Sequence, residues 1–147
     1  MTKADAMPGR PIETLTVGDA DELTREALAE DVAAFLRIVG DHNPVHSDAT
    51  FMRETIFAEP IVPGMWTAAL ISSVIGTRLP GPGAIYASQA LTFLRPVKIG
   101  DRVTARVKVV EVLPERNRVR LQTTCANQRG ELVLAGEAWV LPPKQAT

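Results

Sequence analysis

Hydrophobic and polar positions along the chain change their period twice, and those changes divide it into elements. Over 30–39, Val32, Phe35, Leu36 and Val39 recur at i, i+3, i+4 and i+7, the stripe of an amphipathic helix. Glu30 and Asp31 put negative charge at its positive end, and Gly40 supplies a stop. Over 64–77 the pattern differs. Met65, Trp66, Ala68, Ala69, Leu70, Ile71, Val74 and Ile75 leave almost no polar face, and a helix apolar all round is expected to be buried. Beyond Pro80, Gly81, Pro82 and Gly83 the period drops to two. Val103, Ala105, Val107 and Val109 alternate with Arg102, Thr104, Arg106 and Lys108, as in a strand with one face on a core. The same reading predicts strands over 85–94, 103–113, 119–126 and 132–141, with hairpin turns at 114–117 and 127–130. Upstream, 15–27 reads as one or two short strands around Gly18 and Asp19. A short helix is expected over about 48–55, begun by Ser47 and Asp48 as caps. Residues up to about Pro11 read as a loose tail, which leaves one domain over 12–147.

This order predicts an α+β domain: strand, helix, loop, buried helix, then four strands joined mostly by hairpins. A curved antiparallel sheet wrapped around the buried helix fits it, and so do other α+β layouts. One sheet layer leaves an edge and part of a face uncovered, which favours a dimer.

Composition removes several function classes. A length of 147 residues suits one domain with its own core. The net charge of -1 comes from 16 basic and 17 acidic residues mixed along the chain, so neither a nucleic-acid stripe nor a membrane-binding basic patch is expected. No uninterrupted apolar run is long enough to span a bilayer, and the first residues lack the apolar core of a signal peptide. A cytoplasmic location is the expectation. Cys125 is the only cysteine, which excludes an internal disulfide and a cysteine metal cluster. Lying in a predicted strand between Thr124 and Ala126, it reads as a buried, inert thiol.

Candidate chemistry concentrates in Gly40-Asp41-His42-Asn43-Pro44-Val45-His46-Ser47-Asp48. A carboxylate, an amide and an imidazole fall within six residues, directly after a helix stop. Pro44 biases Asn43 toward extended backbone, so the loop is expected to be held open and to aim Asp41 and His46 at one point. Asn43 could then orient a ligand carbonyl or the base. The same residues are also good turn chemistry, and on residue type alone a local hydrogen-bonded turn is the better reading. A second segment, Pro60-Ile61-Val62-Pro63-Gly64-Met65, leads into the apolar helix. Gly64 allows a ligand close to the backbone, and its N–H would lie at the positive helix end, a setting for a developing oxyanion. The plain alternative is that Pro63 and Gly64 only begin a core helix.

In this order the two segments resemble the MaoC-like hydratases, the R-specific enoyl-CoA hydratase and hydroxyacyl dehydratase family. The family motif Asp-x-Asn-Pro-x-His is matched by Asp41-His42-Asn43-Pro44-Val45-His46 without a mismatch. The family pattern Ile-Val/Ala-His-Gly-Met is matched by Ile61-Val62-Pro63-Gly64-Met65, with Pro63 where His is common. Leu91-Thr92-Phe93-Leu94-Arg95-Pro96-Val97 also looks familial, and the likeness spans roughly 15–141. The resemblance implies a hot-dog fold, a sheet wrapped round the central helix, and thioester substrates. It implies Asp41 and His46 as the acid–base pair on water, with Asn43, Gly64 and Met65 at the substrate. Metal and redox cofactor are not called for. The expected partner is an acyl-CoA or acyl-carrier-protein substrate, with a homodimer or dimer of dimers as the assembly.

Other residues carry weaker expectations. Trp66 could shorten the acyl pocket, although a core role suits it better. His42 occupies the variable motif position and reads as solvated. Arg95, Lys98 and Arg102 suit coenzyme A phosphates or a solvated edge equally. A thioesterase on the same scaffold and a catalytically silent thioester-binding subunit are the competing functions.

Overall fold

The computed structural model describes residues 8–144. Each alternating segment forms a strand: β1 (Ala20–Glu26), β2 (Ile85–Phe93), β3 (Arg102–Leu113), β4 (Arg118–Ala126) and β5 (Leu132–Leu141). They pair antiparallel in one five-stranded sheet of order β1-β3-β4-β5-β2. The period of two places one set of side chains on a common face. Val103, Ala105, Val107 and Val109 of β3, Val119, Leu121 and Cys125 of β4, and Leu134, Ala138 and Val140 of β5 are fully buried there. That face packs on the apolar helix α3 (Gly64–Thr77), which follows α1 (Ala29–Val39), the helix before the motif, and a short α2 (Ala49–Arg53). Trp66, Ala68, Ile71, Val74 and Ile75 of α3 complete the core. The chain has the hot-dog fold.

Three expectations change or narrow. First, α3 is not buried on every side: Met65, Ala69, Ser72 and Ser73 are exposed. The sheet is a single layer and covers one flank of the helix, so the other flank, small or apolar rather than charged, looks outward. Second, of the one or two short strands expected over 15–27, one forms, β1. Residues before Ala20 turn instead, because the Asp19 carboxylate accepts the Thr16 N–H at 2.9 Å. Third, the end of the tail is tied down. The Arg10 N–H bonds the Pro80 carbonyl at 2.7 Å and its guanidinium meets Asp19 at 2.8 Å. Residues 1–7 of the expected tail lie outside the described residues.

Candidate active site

Gly40 ends α1 in the left-handed region, at φ 71°, where a side chain would be strained. This reversal lets the Asp41 N–H bond the Leu36 carbonyl at 2.9 Å, fixing where the motif leaves the helix. The loop is not held open as expected: Pro44–His46 form a 3₁₀ turn. Proline suits the first position of such a turn because its φ is set and it has no N–H to leave unpaired. The Asn43 amide oxygen caps the turn by accepting the Val45 N–H at 3.2 Å. Asp41 Oδ1 in turn accepts the Asn43 N–H at 2.9 Å.

Asp41 thus uses one oxygen to shape the loop and leaves the other, Oδ2, 3.6 Å from His46 Nε2. That gap is too long for a direct hydrogen bond and leaves room for a shared partner. The imidazole is fixed from its far side, where His46 Nδ1 lies 2.8 Å from the Ile61 carbonyl. A carbonyl only accepts, so Nδ1 carries the proton, and in the neutral form of the ring the Nε2 lone pair turns toward Asp41. Two acceptors then face each other across a gap that one water, with two O–H donors, can bridge. Ile61 serves twice, since its N–H also bonds the Val45 carbonyl at 2.9 Å. The two bonds join the motif to the strand-like segment before α3, and Val62 is held in turn by the Val97 carbonyl at 2.7 Å.

This join brings His46 to a cavity of about 520 Å³ between the α3 N-terminus and β2. Its walls include Phe57, Gly64, Met65, Phe93 and Val97, so they are largely apolar. Asp41 lies beside His46 and is absent from the wall. The Gly64 N–H opens α3 and has no acceptor among the described residues. A Cβ at Gly64 would lie 2.5 Å from Phe93 Cε1, so any larger residue would have to push that ring aside. The arrangement can hold a water at one end and a carbonyl oxygen at the other, with largely apolar walls between them.

The predicted site residues do not all converge. His46, Gly64 and Met65 line the cavity, and Asp41 joins them through its approach to His46. Asn43 is absent from its walls, and its amide oxygen is spent on the turn. Trp66 is 8% exposed and packs in the core without touching the cavity, which removes it as a limit on acyl length. His42 is exposed, as a variable position would be. Arg95 reaches the cavity wall but bonds the Leu132 carbonyl and lies 3.7 Å from Glu131. Lys98 is paired with Glu59 at 2.9 Å. Cys125 is buried, its thiol pushed up to about 12 by that burial, and it is no nucleophile at neutral pH. Among the described residues no cluster of His, Cys, Asp or Glu could hold a metal ion, and no helix is long and apolar enough to cross a membrane. Sequence reasoning missed Phe57, Phe93 and the Ile61 carbonyl. A backbone acceptor leaves no trace in residue types, whereas Phe93 lay within the familial stretch and could have been found there.

Comparison with known proteins gives the family. The MaoC-like domain family matches residues 4–129. A 3-hydroxybutyryl-CoA dehydratase of Methylorubrum extorquens is 50% identical over 90% of this chain and 84% of its own length. An (R)-specific enoyl-CoA hydratase of Aeromonas caviae is 41% identical over 89% of this chain and 98% of its own. The unliganded R-hydratase structure from Pseudomonas aeruginosa superposes with a TM-score of 0.88 at 44% identity, covering 93% of this chain and 88% of that one. The chain belongs to the MaoC-like hydratase and dehydratase family.

Proposed function

We propose that the protein catalyses the reversible hydration of a 2-enoyl-CoA to the (R)-3-hydroxyacyl-CoA. The observation that carries the proposal is the paired acceptors, Asp41 Oδ2 and His46 Nε2, 3.6 Å apart beside a cavity that also holds the unpartnered Gly64 N–H. Conjugation to the thioester makes the β-carbon electrophilic. Asp41 and His46 hold one water and take its proton as the oxygen bonds that carbon, and the pair returns the proton to the α-carbon. The Gly64 N–H stabilises charge gathering on the thioester oxygen, helped by its place at the positive end of α3. Those groups meet every demand of the reaction, so it needs neither metal nor redox cofactor. The dehydratase and hydratase relatives support the activity.

The carrier is coenzyme A rather than acyl carrier protein. A basic rim would suit an acidic protein partner, and the cations nearest the cavity, Arg95 and Lys98, are each set against glutamates. The working unit is a homodimer. Among the described strands β2 has one neighbour, its Ile85 and Phe93 and the following Leu94 are exposed, and one flank of α3 is exposed as well. A second copy is the occupant that covers both. A reducing cytoplasm suits the lone thiol of Cys125. Incubation with crotonyl-CoA, followed by chiral analysis of the product, tests the activity. (R)-3-hydroxybutyryl-CoA is expected. Release of free thiol would show a thioesterase, and unchanged crotonyl-CoA would show a silent binding subunit.

A further inference from the structure

Among the described residues, one buried side-chain oxygen or nitrogen has no hydrogen-bond partner: the hydroxyl of Thr67. Thr67 is 2% exposed and lines the same cavity as His46 and Gly64. Its backbone carbonyl lies 3.7 Å from the Cys125 thiol, but its side chain is left over. An unpaired buried hydroxyl disfavours the folded state, which makes such groups rare in native proteins. Valine would fill nearly the same space without that cost.

Its position suggests what the hydroxyl waits for. Thr67 follows Gly64 by three residues on α3, so the two share a face. Side chains on a helix tilt toward its N-terminus and cover the turn before their own Cα. Thr67 therefore leans over Gly64, toward the helix end whose N–H is also unpartnered. A threonine in a helix has two accessible χ1 wells, so its hydroxyl can swing to an arriving acceptor while the backbone stays still. The surrounding walls are largely apolar. The acyl portion of an enoyl thioester brings one strong acceptor into such a space, its carbonyl oxygen.

We infer that Thr67 Oγ1 donates a second hydrogen bond to the thioester oxygen, alongside the Gly64 N–H; this rests on the hydration reading above. As the water O–H breaks toward the acid–base pair and the new C–O bond forms at the β-carbon, the C=C electrons pass toward the thioester oxygen. A bond to that oxygen strengthens as the charge grows, so its loss appears in kcat more than in KM. Thr67→Val removes the hydroxyl at constant volume. It is expected to lower kcat for crotonyl-CoA on the order of 10²-fold, with KM little changed, while Tm stays level or rises. Thr67→Ser keeps the hydroxyl and is expected to remain near wild type. A folded Thr67→Val with wild-type kcat overturns the inference. Should that variant fail to fold, Thr67→Ser and Thr67→Ala decide: activity in the first alone supports the inference, and equal activity in both overturns it. Wild-type protein that does not hydrate crotonyl-CoA overturns the hydration reading itself, and this inference with it.

Discussion

Gly64→Ala tests whether the mouth of α3 is shaped for a ligand or merely starts a helix. The added methyl would lie 2.5 Å from Phe93 Cε1 and 2.9 Å from Cδ1, well inside contact distance. Its φ is not in the left-handed region, so alanine can adopt the backbone, and two energies compete. Removing glycine's freedom from the unfolded chain stabilises by about 0.4–1 kcal/mol, whereas overpacking costs about 1–3 kcal/mol. Phe93 is 52% exposed, so its ring can swing away and the cost falls in the lower part of that range. The net loss is about 1 kcal/mol, or roughly 2–4 °C in Tm for a domain of this size. The larger effect is on rate, because a displaced ring moves into the space where the thioester must meet the Gly64 N–H. Loss of that contact is expected to lower kcat on the order of 10²-fold. Phe93→Leu removes the clashing ring edge, so the double variant should recover both Tm and most of the activity, giving a strongly non-additive cycle. The assays are thermal unfolding and initial rates with crotonyl-CoA across all four proteins. A Gly64→Ala variant with wild-type rate, or a double variant no better than the single, would refute the reasoning.

Asp41→Asn and His46→Gln should each lose about 10²–10⁴-fold in kcat while remaining folded by circular dichroism; the new amide at position 41 can still accept the Asn43 N–H that shapes the loop, and near-normal turnover in either variant rules out the shared-water arrangement. Cys125, raised from 9.0 to about 12 by burial, keeps its proton more tightly when folded than when unfolded, so its contribution to stability is full below pH 9.0 and is lost as pH rises toward 12. Urea unfolding should therefore weaken more steeply above pH 9.0 in wild type than in Cys125→Ala, and parallel profiles would contradict the burial. At Gly136 a Cβ would lie 1.8 Å from the Ala90 carbonyl oxygen, a backbone atom that cannot swing aside, so Gly136→Ala should part β2 from β5 at a cost of about 3 kcal/mol, read from the urea midpoint.

Much of this architecture was legible from the chain because single residues punctuate it. Gly40 ends α1 and Gly64 opens α3 where expected, and the strand alternation from Arg102 onward already marks the buried face. What failed was long-range or backbone-borne. The bare flank of α3 could not be foreseen, because hydrophobicity records that a surface will be covered without recording which molecule covers it. The 3₁₀ turn at Pro44 was hidden because proline disfavours a continuing helix yet favours the first position of a short one. Asn43 shows the same ambiguity between binding a ligand and capping a turn, and here its amide oxygen does the second.

Pro63 carries the remaining step, since it stands where the family commonly has histidine. Position 63 is buried, outside the cavity wall, and its carbonyl accepts the Trp66 N–H at 3.0 Å. A proline there retains that acceptor and fixes φ, at -56°, for the residue that leads into the helix. The exchange therefore stiffens the start of α3 and leaves untouched the atoms proposed for the chemistry: Asp41 Oδ2, His46 Nε2 and the Gly64 N–H. A helix mouth held this firmly gives its first N–H a fixed direction before any substrate arrives. A donor aimed in advance needs no reorganisation as charge develops, and that is the condition under which one hydrogen bond contributes most to rate. Departure from the family pattern at this position is thus compatible with the same reaction, because the motif residue it replaces lies beside the proposed oxyanion donor rather than within the proposed acid–base pair.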